Sequence, residues 1–183
     1  MRPLTQGLPS EHCVLIDEMG SPRGLTRLYG RAAPGQRVLD HVPGDRGGHG
    51  STVGARGLEG LRTGVSVPGA SDGQTLRFFG ADLRGPTRKR GDIVGMDNNP
   101  IPKLDDIEDA LDAAGAGVRF LPTSSPDLNP LELCWSNVNS PLRSLTPRTF
   151  PDLLDAFGHA FSSLPRHDIL HWFQHCGYQV AAT

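Results

Sequence analysis

The sequence predicts an α/β domain, a mixed sheet with helices packed against it. Three observations predict it. Short apolar runs of strand length recur at 12–17, 51–58, 61–68, 92–97 and 118–121. Segments with apolar residues at helical spacing come between and after these runs, at 104–114 and beyond residue 130. Two of the strand-type runs, HCVLID over 12–17 and DIVGMD over 92–97, end in aspartate. The chain has 183 residues, enough to bury one core of ordinary size.

The elements follow in order. Residues 1–11 form an N-terminal tail, and the first strand runs from His12 to Asp17. Residues 20–50, rich in glycine and arginine without periodicity, predict loop and ragged hairpin. The strands at 51–58 and 61–68 are joined by Glu59-Gly60, a tight-turn signal. Thr75 to Leu83 predicts a short helix, and Arg84-Gly-Pro-Thr-Arg-Lys-Arg90 a basic, turn-rich connection. After the strand at 92–97, Leu104, Ile107, Leu111 and Ala114 fall on one helical face that Gly115 stops. Val118 to Leu121 is the next strand, followed by the proline-punctuated loop Pro122 to Asn129. A helix begins at Pro130, capped by Asn129, with Leu131, Trp135 and Val138 on one face and Pro141 ending or kinking it. Two more helices are expected at about 150–164 and 167–176, the last ended by Gly177.

Composition narrows the function classes. No apolar run approaches the ~20 residues of a membrane span. The opening residues lack the basic-then-apolar pattern of a secretory signal, so a cytoplasmic setting is expected. Three scattered cysteines (Cys13, Cys134, Cys176) make neither a disulfide framework nor a zinc ribbon. The net charge of −2 hides a basic first half and an acidic second half. Overall charge therefore does not announce nucleic-acid binding, and a role on DNA has to be argued from a site.

That site is a set of three carboxylates. Acids at the ends of neighbouring strands can converge, and a third on the first turn of a nearby helix can complete the set. Asp17 and Asp97 supply the strand ends and Glu132 the helix. Convergent carboxylates of this kind suit a pair of Mg²⁺ or Mn²⁺ ions used in phosphodiester cleavage. Each residue also has a plainer reading. Either aspartate can open a turn, and Glu132, three residues after Asn129, can close a capping box. The residue pattern leaves both readings open.

The stretch Pro122-Thr-Ser-Ser-Pro-Asp-Leu-Asn-Pro-Leu-Glu132-Leu-Cys-Trp135 resembles the signature loop and helix of mariner-type transposases and their bacterial insertion-sequence relatives, which are DDE superfamily endonucleases. In that family an Asp-Asn pair follows a strand, and thirty-four residues commonly separate it from the glutamate. Here Met96-Asp97-Asn98 fits, and positions 98 to 131 number thirty-four. Leu15-Ile16-Asp17-Glu18 resembles the first-acid strand, and Leu28 to Arg37 and Trp172 to Tyr178 resemble later family segments. The resemblance implies a ribonuclease H-like catalytic domain over 12–146, with 147–183 as a helical extension packing on it. It implies that Asp17, Asp97 and Glu132 bind two Mg²⁺ or Mn²⁺ ions, that activated water cuts each transposon end, and that the freed 3′-hydroxyl attacks target DNA. It also implies double-stranded DNA as partner and a homodimer that pairs two ends. Glu18 matches a further family acid in a supporting role.

Candidate DNA contacts are Asn98, Lys103, Arg84, Arg88, Lys89 and Arg90. Family members carry helix-turn-helix units ahead of the first acid. Asp17 arrives too early for one, so either an upstream reading frame supplies a helix-turn-helix product or the gene is truncated. The sequence departs from the family in lacking a histidine after Asp97 and positive charge over Ser136 to Pro141. A decayed or domesticated copy that only binds DNA or a partner is the alternative. Two other patterns compete: Gly69-Ala-Ser71-Asp-Gly73 matches a nucleophile elbow, and His167, His171 and His175 with Cys176 have the spacing of a zinc site. A glycine-rich turn and a half-exposed helix face account for them more simply.

Overall fold

The computed structural model describes residues 5, 8–22, 24–43, 48–70, 91–97, 115 and 117–180. Five strands form one sheet: β1 (Cys13–Pro22), β2 (His49–Gly57), β3 (Gly60–Pro68), β4 (Ile93–Asp97) and β5 (Gly117–Leu121), in the order β3-β2-β1-β4-β5. Alternation along β1 sends Cys13, Leu15 and Met19 to one face and Val14 and Ile16 to the other, and both faces are buried. A strand buried on both sides belongs at the centre of a sheet, which is where β1 lies. It pairs antiparallel with β2 and parallel with β4, while β3 and β5 lie outside them. The expected helices at 75–83 and 104–114 fall outside the described residues.

The first strand is longer than the apolar run predicts. β1 passes through Asp17 to Pro22, because its antiparallel partner continues beside it as far as the pair Pro22–His49. Only the parallel pairing with β4 stops near Asp17, at Ile16–Met96. Beyond Met19 the run Gly20-Ser21-Pro22 carries no apolar signal, so its place in the strand comes from β2 and not from local sequence. The predicted hairpin between 20 and 50 is likewise replaced by two strand ends and an irregular segment over 24–43. That segment is held down by buried Leu25 and by three arginines: Arg143 and Arg148 donate to the carbonyls of Thr26 and Leu25, and Arg27 to that of Ser144. The β2–β3 turn forms as expected. Gly57 pairs with Gly60, and Gly60 adopts φ 131°, a conformation that a side chain opposes.

Three helices cover the β1 face that carries Cys13, Leu15 and Met19: α1 (Pro130–Leu145), α2 (Phe150–Ser162) and α3 (Arg166–His175). Leu131, Cys134, Trp135, Val138 and Leu142 form the buried stripe of α1. Against it pack Leu153, Ala156, Phe157 and Ala160 of α2 and Ile169, Trp172 and Phe173 of α3. Pro141 neither ends nor breaks α1. It withholds one backbone N–H, but Val138 and Leu142, both fully buried, keep the following turn on the core. The helix ends at Leu145, where Thr146 turns left-handed (φ 50°) and donates its N–H to Leu142 O at 3.0 Å.

α2 begins with a reciprocal cap: Asp152 N–H donates to Thr149 Oγ1 at 3.2 Å, and Thr149 N–H to Asp152 Oδ2 at 3.0 Å. Thr149→Ala should therefore lower stability by about 1 kcal/mol, read as a shift of the urea midpoint at unchanged slope. The N-terminal segment ties to the other end of the chain. Thr5 Oγ1 donates to Cys176 O at 3.0 Å and Ser10 N–H to Gln179 O at 3.1 Å.

Candidate active site

The parallel register of β1 and β4 runs from Cys13 opposite Ile93 to Ile16 opposite Met96. One further step along it stand Asp17 and Asp97, on strands about 4.8 Å apart. By strand alternation both fall on the face of Leu15 and Gly95. A Cβ built on Gly95 would lie 2.6 Å from Leu15 Cδ1, so the Leu15 side chain occupies the space that Gly95 leaves bare. That face is the one covered by α1, whose first turn carries Glu132.

α1 is attached to Asp17 directly. Asp17 Oδ2 accepts from Asn129 Nδ2 at 3.0 Å and from Trp135 Nε1 at 3.1 Å, and Oδ1 accepts from the Glu18 amide at 2.8 Å. Asn129 caps the helix with its other atom, Oδ1 accepting the Leu131 N–H at 3.1 Å. The capping box that would have occupied Glu132 does not form. The Asn129 N–H goes instead to Pro126 O, and the Glu132 side chain is left exposed. Trp135 reaches Asp17 because it lies over Gly54, the β2 partner of Asp17, where an added Cβ would come within 3.0 Å of the indole ring. Its ring is also fixed edge-on against Phe161, centroids 5.6 Å apart.

Burial pushes the Asp17 carboxyl up to about 6. The negative charges of Glu132 and Asp97 add to the rise, while the Glu18 amide and the Trp135 N–H oppose it. Glu132 and Asp97 are thus each close enough to be felt electrostatically at Asp17. Among the described residues no basic side chain forms an ion pair with any of them. Nor is any group of three His, Cys, Asp or Glu side chains there, the three acids included, arranged to hold a metal ion. The three candidates offer carboxylate oxygens, the donor chemistry that suits a hard divalent cation. Glu18 is exposed, and its amide is the part that touches Asp17.

The other candidates fare differently. Asn98, Lys103, Arg84, Arg88, Lys89 and Arg90 lie outside the described residues, as does Ser71 of the nucleophile-elbow pattern. His167, His171 and His175 all point to solvent, whereas Cys176 is buried in the core, so the four do not converge. A shallow groove of about 460 Å³ between α2 and β2–β3, lined by Leu61, Phe157 and Phe161 among others, contains none of the three acids. The sequence missed the two donors to Asp17. Asn129 was legible as a cap and Trp135 as a core residue. A buried indole N–H does require an acceptor, and that was the available signal.

The family model for the DDE superfamily endonucleases matches residues 12–154. The chain belongs to this family. Solved structures with the same fold agree. The Mos1 transposase paired-end complex with left transposon end superposes with a TM-score of 0.72 at 16% identity, covering 92% of this chain and 53% of that one. The catalytic domain of Mos1 mariner transposase gives 0.65 at 14% identity, covering 91% and 78%. The Mos1 catalytic domain with raltegravir and Mg gives 0.66 at 14% identity, covering 91% and 79%. This DDE superfamily endonuclease therefore has the ribonuclease H-like mixed sheet flanked by helices that the sequence predicts. It spans about half the length of the Mos1 chains in the DNA complexes. A comparison with curated proteins finds no match. Among the described residues no helix is long and apolar enough to cross a membrane.

Proposed function

We propose that this DDE superfamily endonuclease is the catalytic part of a DNA transposase, cleaving phosphodiesters at transposon ends and transferring the strands to target DNA. The observation that carries the reading is the meeting of β1, β4 and the start of α1. It sets Asp17 and Asp97 level on adjoining strands, with the charge of Glu132 felt at Asp17. Mos1 structures of the same fold, described as a paired-end complex with Mn and a strand transfer complex, support it.

In this proposal Asp17, Asp97 and Glu132 hold two Mg²⁺ or Mn²⁺ ions. Bound there, the ions would supply Lewis-acid activation of the attacking hydroxyl and offset charge at the scissile phosphate. Asp17 is the rigid member, fixed by three hydrogen bonds. Glu132, free of the helix cap, can move to meet the substrate. Asn98, Lys103, Arg84, Arg88, Lys89 and Arg90 stand as phosphate contacts on sequence grounds. Residues 12–146 form the catalytic domain and 147–183 the helical extension. The proposal includes a homodimer, an upstream helix-turn-helix product that reads the ends, and action at the nucleoid in the cytoplasm.

The test is cleavage of a labelled duplex carrying the ends of the element that encodes the chain, with Mn²⁺ and the upstream product present. Nicking of a supercoiled plasmid runs beside it. Cutting by the chain and not by Asp97→Ala supports the reading. Equal behaviour of the two overturns it in favour of a protein that only binds.

A further inference from the structure

We propose that Asn129 and Trp135 are positioning residues that reserve one oxygen of Asp17 for a divalent cation, an inference that rests on the reading of Asp17 as a metal ligand. Each carboxylate oxygen offers about two lone-pair sites. Both sites of Oδ2 are taken by N–H donors, Asn129 Nδ2 at 3.0 Å and Trp135 Nε1 at 3.1 Å. Oδ1 accepts one, the Glu18 amide at 2.8 Å, and keeps one free. Asp17 is therefore presented through Oδ1 alone, with its plane set by groups on two sides.

The choice of residue types follows. Position 129 must accept at one atom to cap α1 and donate at the other to hold Asp17, and a carboxamide does both at once. Aspartate would keep the cap but put an anion against Asp17. Serine would keep the cap and lose the reach. At position 135 the ring fills the space over Gly54 and against Phe161, which phenylalanine could partly do, but tryptophan joins that bulk to a ring N–H aimed at Asp17. Because both donors sit at the start of α1, with Glu132 between them, the placement of that helix sets Asp17 and Glu132 together. Removing the outer partner of a metal ligand typically weakens metal binding by about 10–100-fold.

The test uses the whole chain and two readouts that need no cleavage. Mn²⁺ binding is followed by calorimetry for the parent, Trp135→Phe, Asn129→Ser and Asp17→Ala. Mg²⁺ is titrated while the two indole N–H resonances are followed by NMR, that of Trp135 being identified by its loss in Trp135→Phe. The expected result is binding weakened about tenfold in Trp135→Phe and Asn129→Ser, and a Mg²⁺-dependent shift of the Trp135 resonance with that of Trp172 unmoved. Trp135→Phe serves by itself if Asn129→Ser does not fold. Parent-like binding in Trp135→Phe, with binding lost in Asp17→Ala, overturns the positioning role and leaves the metal site standing. Parent-like binding in Asp17→Ala overturns the metal-site reading itself.

Discussion

Asp97→Ala is expected to reduce Mn²⁺-dependent DNA cleavage by about a thousandfold or more while leaving the fold intact. Metal-ion catalysis supplies several kcal/mol of transition-state stabilisation, and each ~1.4 kcal/mol is a factor of ten in rate. Asp97 is the last residue of β4 and only part-buried, so shortening it opens no core cavity. Circular dichroism and the melting temperature of the variant should match the parent in EDTA. A variant that cuts within tenfold of the parent would remove Asp97 from the site.

The second large effect concerns stability against pH. The Asp17 carboxyl, pushed up to about 6 by burial, holds a proton in the folded chain that the unfolded chain releases near the ordinary value of 3.8. Between those values the folded state binds more protons, so stability falls as pH rises through the window and levels off above it. The loss is on the order of 3 kcal/mol, at about 1.4 kcal/mol for each pH unit. Asp17→Asn removes the titration. Its amide oxygen can still accept from Asn129 and Trp135, while the Glu18 amide loses its acceptor at a cost of about 1 kcal/mol. Urea unfolding in EDTA should therefore find Asp17→Asn more stable than the parent at pH 8 by about 2 kcal/mol, and no more stable at pH 4. Mn²⁺ at pH 8 should narrow the gap, because a cation bound to the folded parent stabilises it. Should the variant be destabilised equally at both pH values, buried charge at Asp17 is not the cause.

Much of the fold was legible because its signals are local. Asn129 followed by proline marks the start of α1, and the unbroken apolar run Cys13 to Ile16 marks a strand. What was not legible depends on partners far along the chain. The reach of β1 to Pro22 is set by β2, some thirty residues on. Pro141 stays helical because the core holds Leu142, and no rule about proline in isolation contains that information. The site divides in the same way. The three candidate acids were singled out from strand ends, a helix start and a spacing. The hydrogen bonds that orient Asp17 cross more than a hundred residues and belong to side chains whose local roles, a cap and a core ring, were already complete without them.

The bare backbone at Gly54 gives the molecule an adjustable seat for chemistry it does not touch. A methyl group there would meet the indole of Trp135 at 3.0 Å, so the ring must lift by a few tenths of an ångström. Its N–H would then draw away from Asp17, with no charge changed and no acid replaced. Gly54→Ala should therefore act as an attenuator, with a moderately lowered cleavage rate, an intact fold, and little further loss when it is added to Trp135→Phe, which has already given up the N–H. A graded series at this one position would turn the enzyme down by degrees, where substitution of an acid can only switch it off.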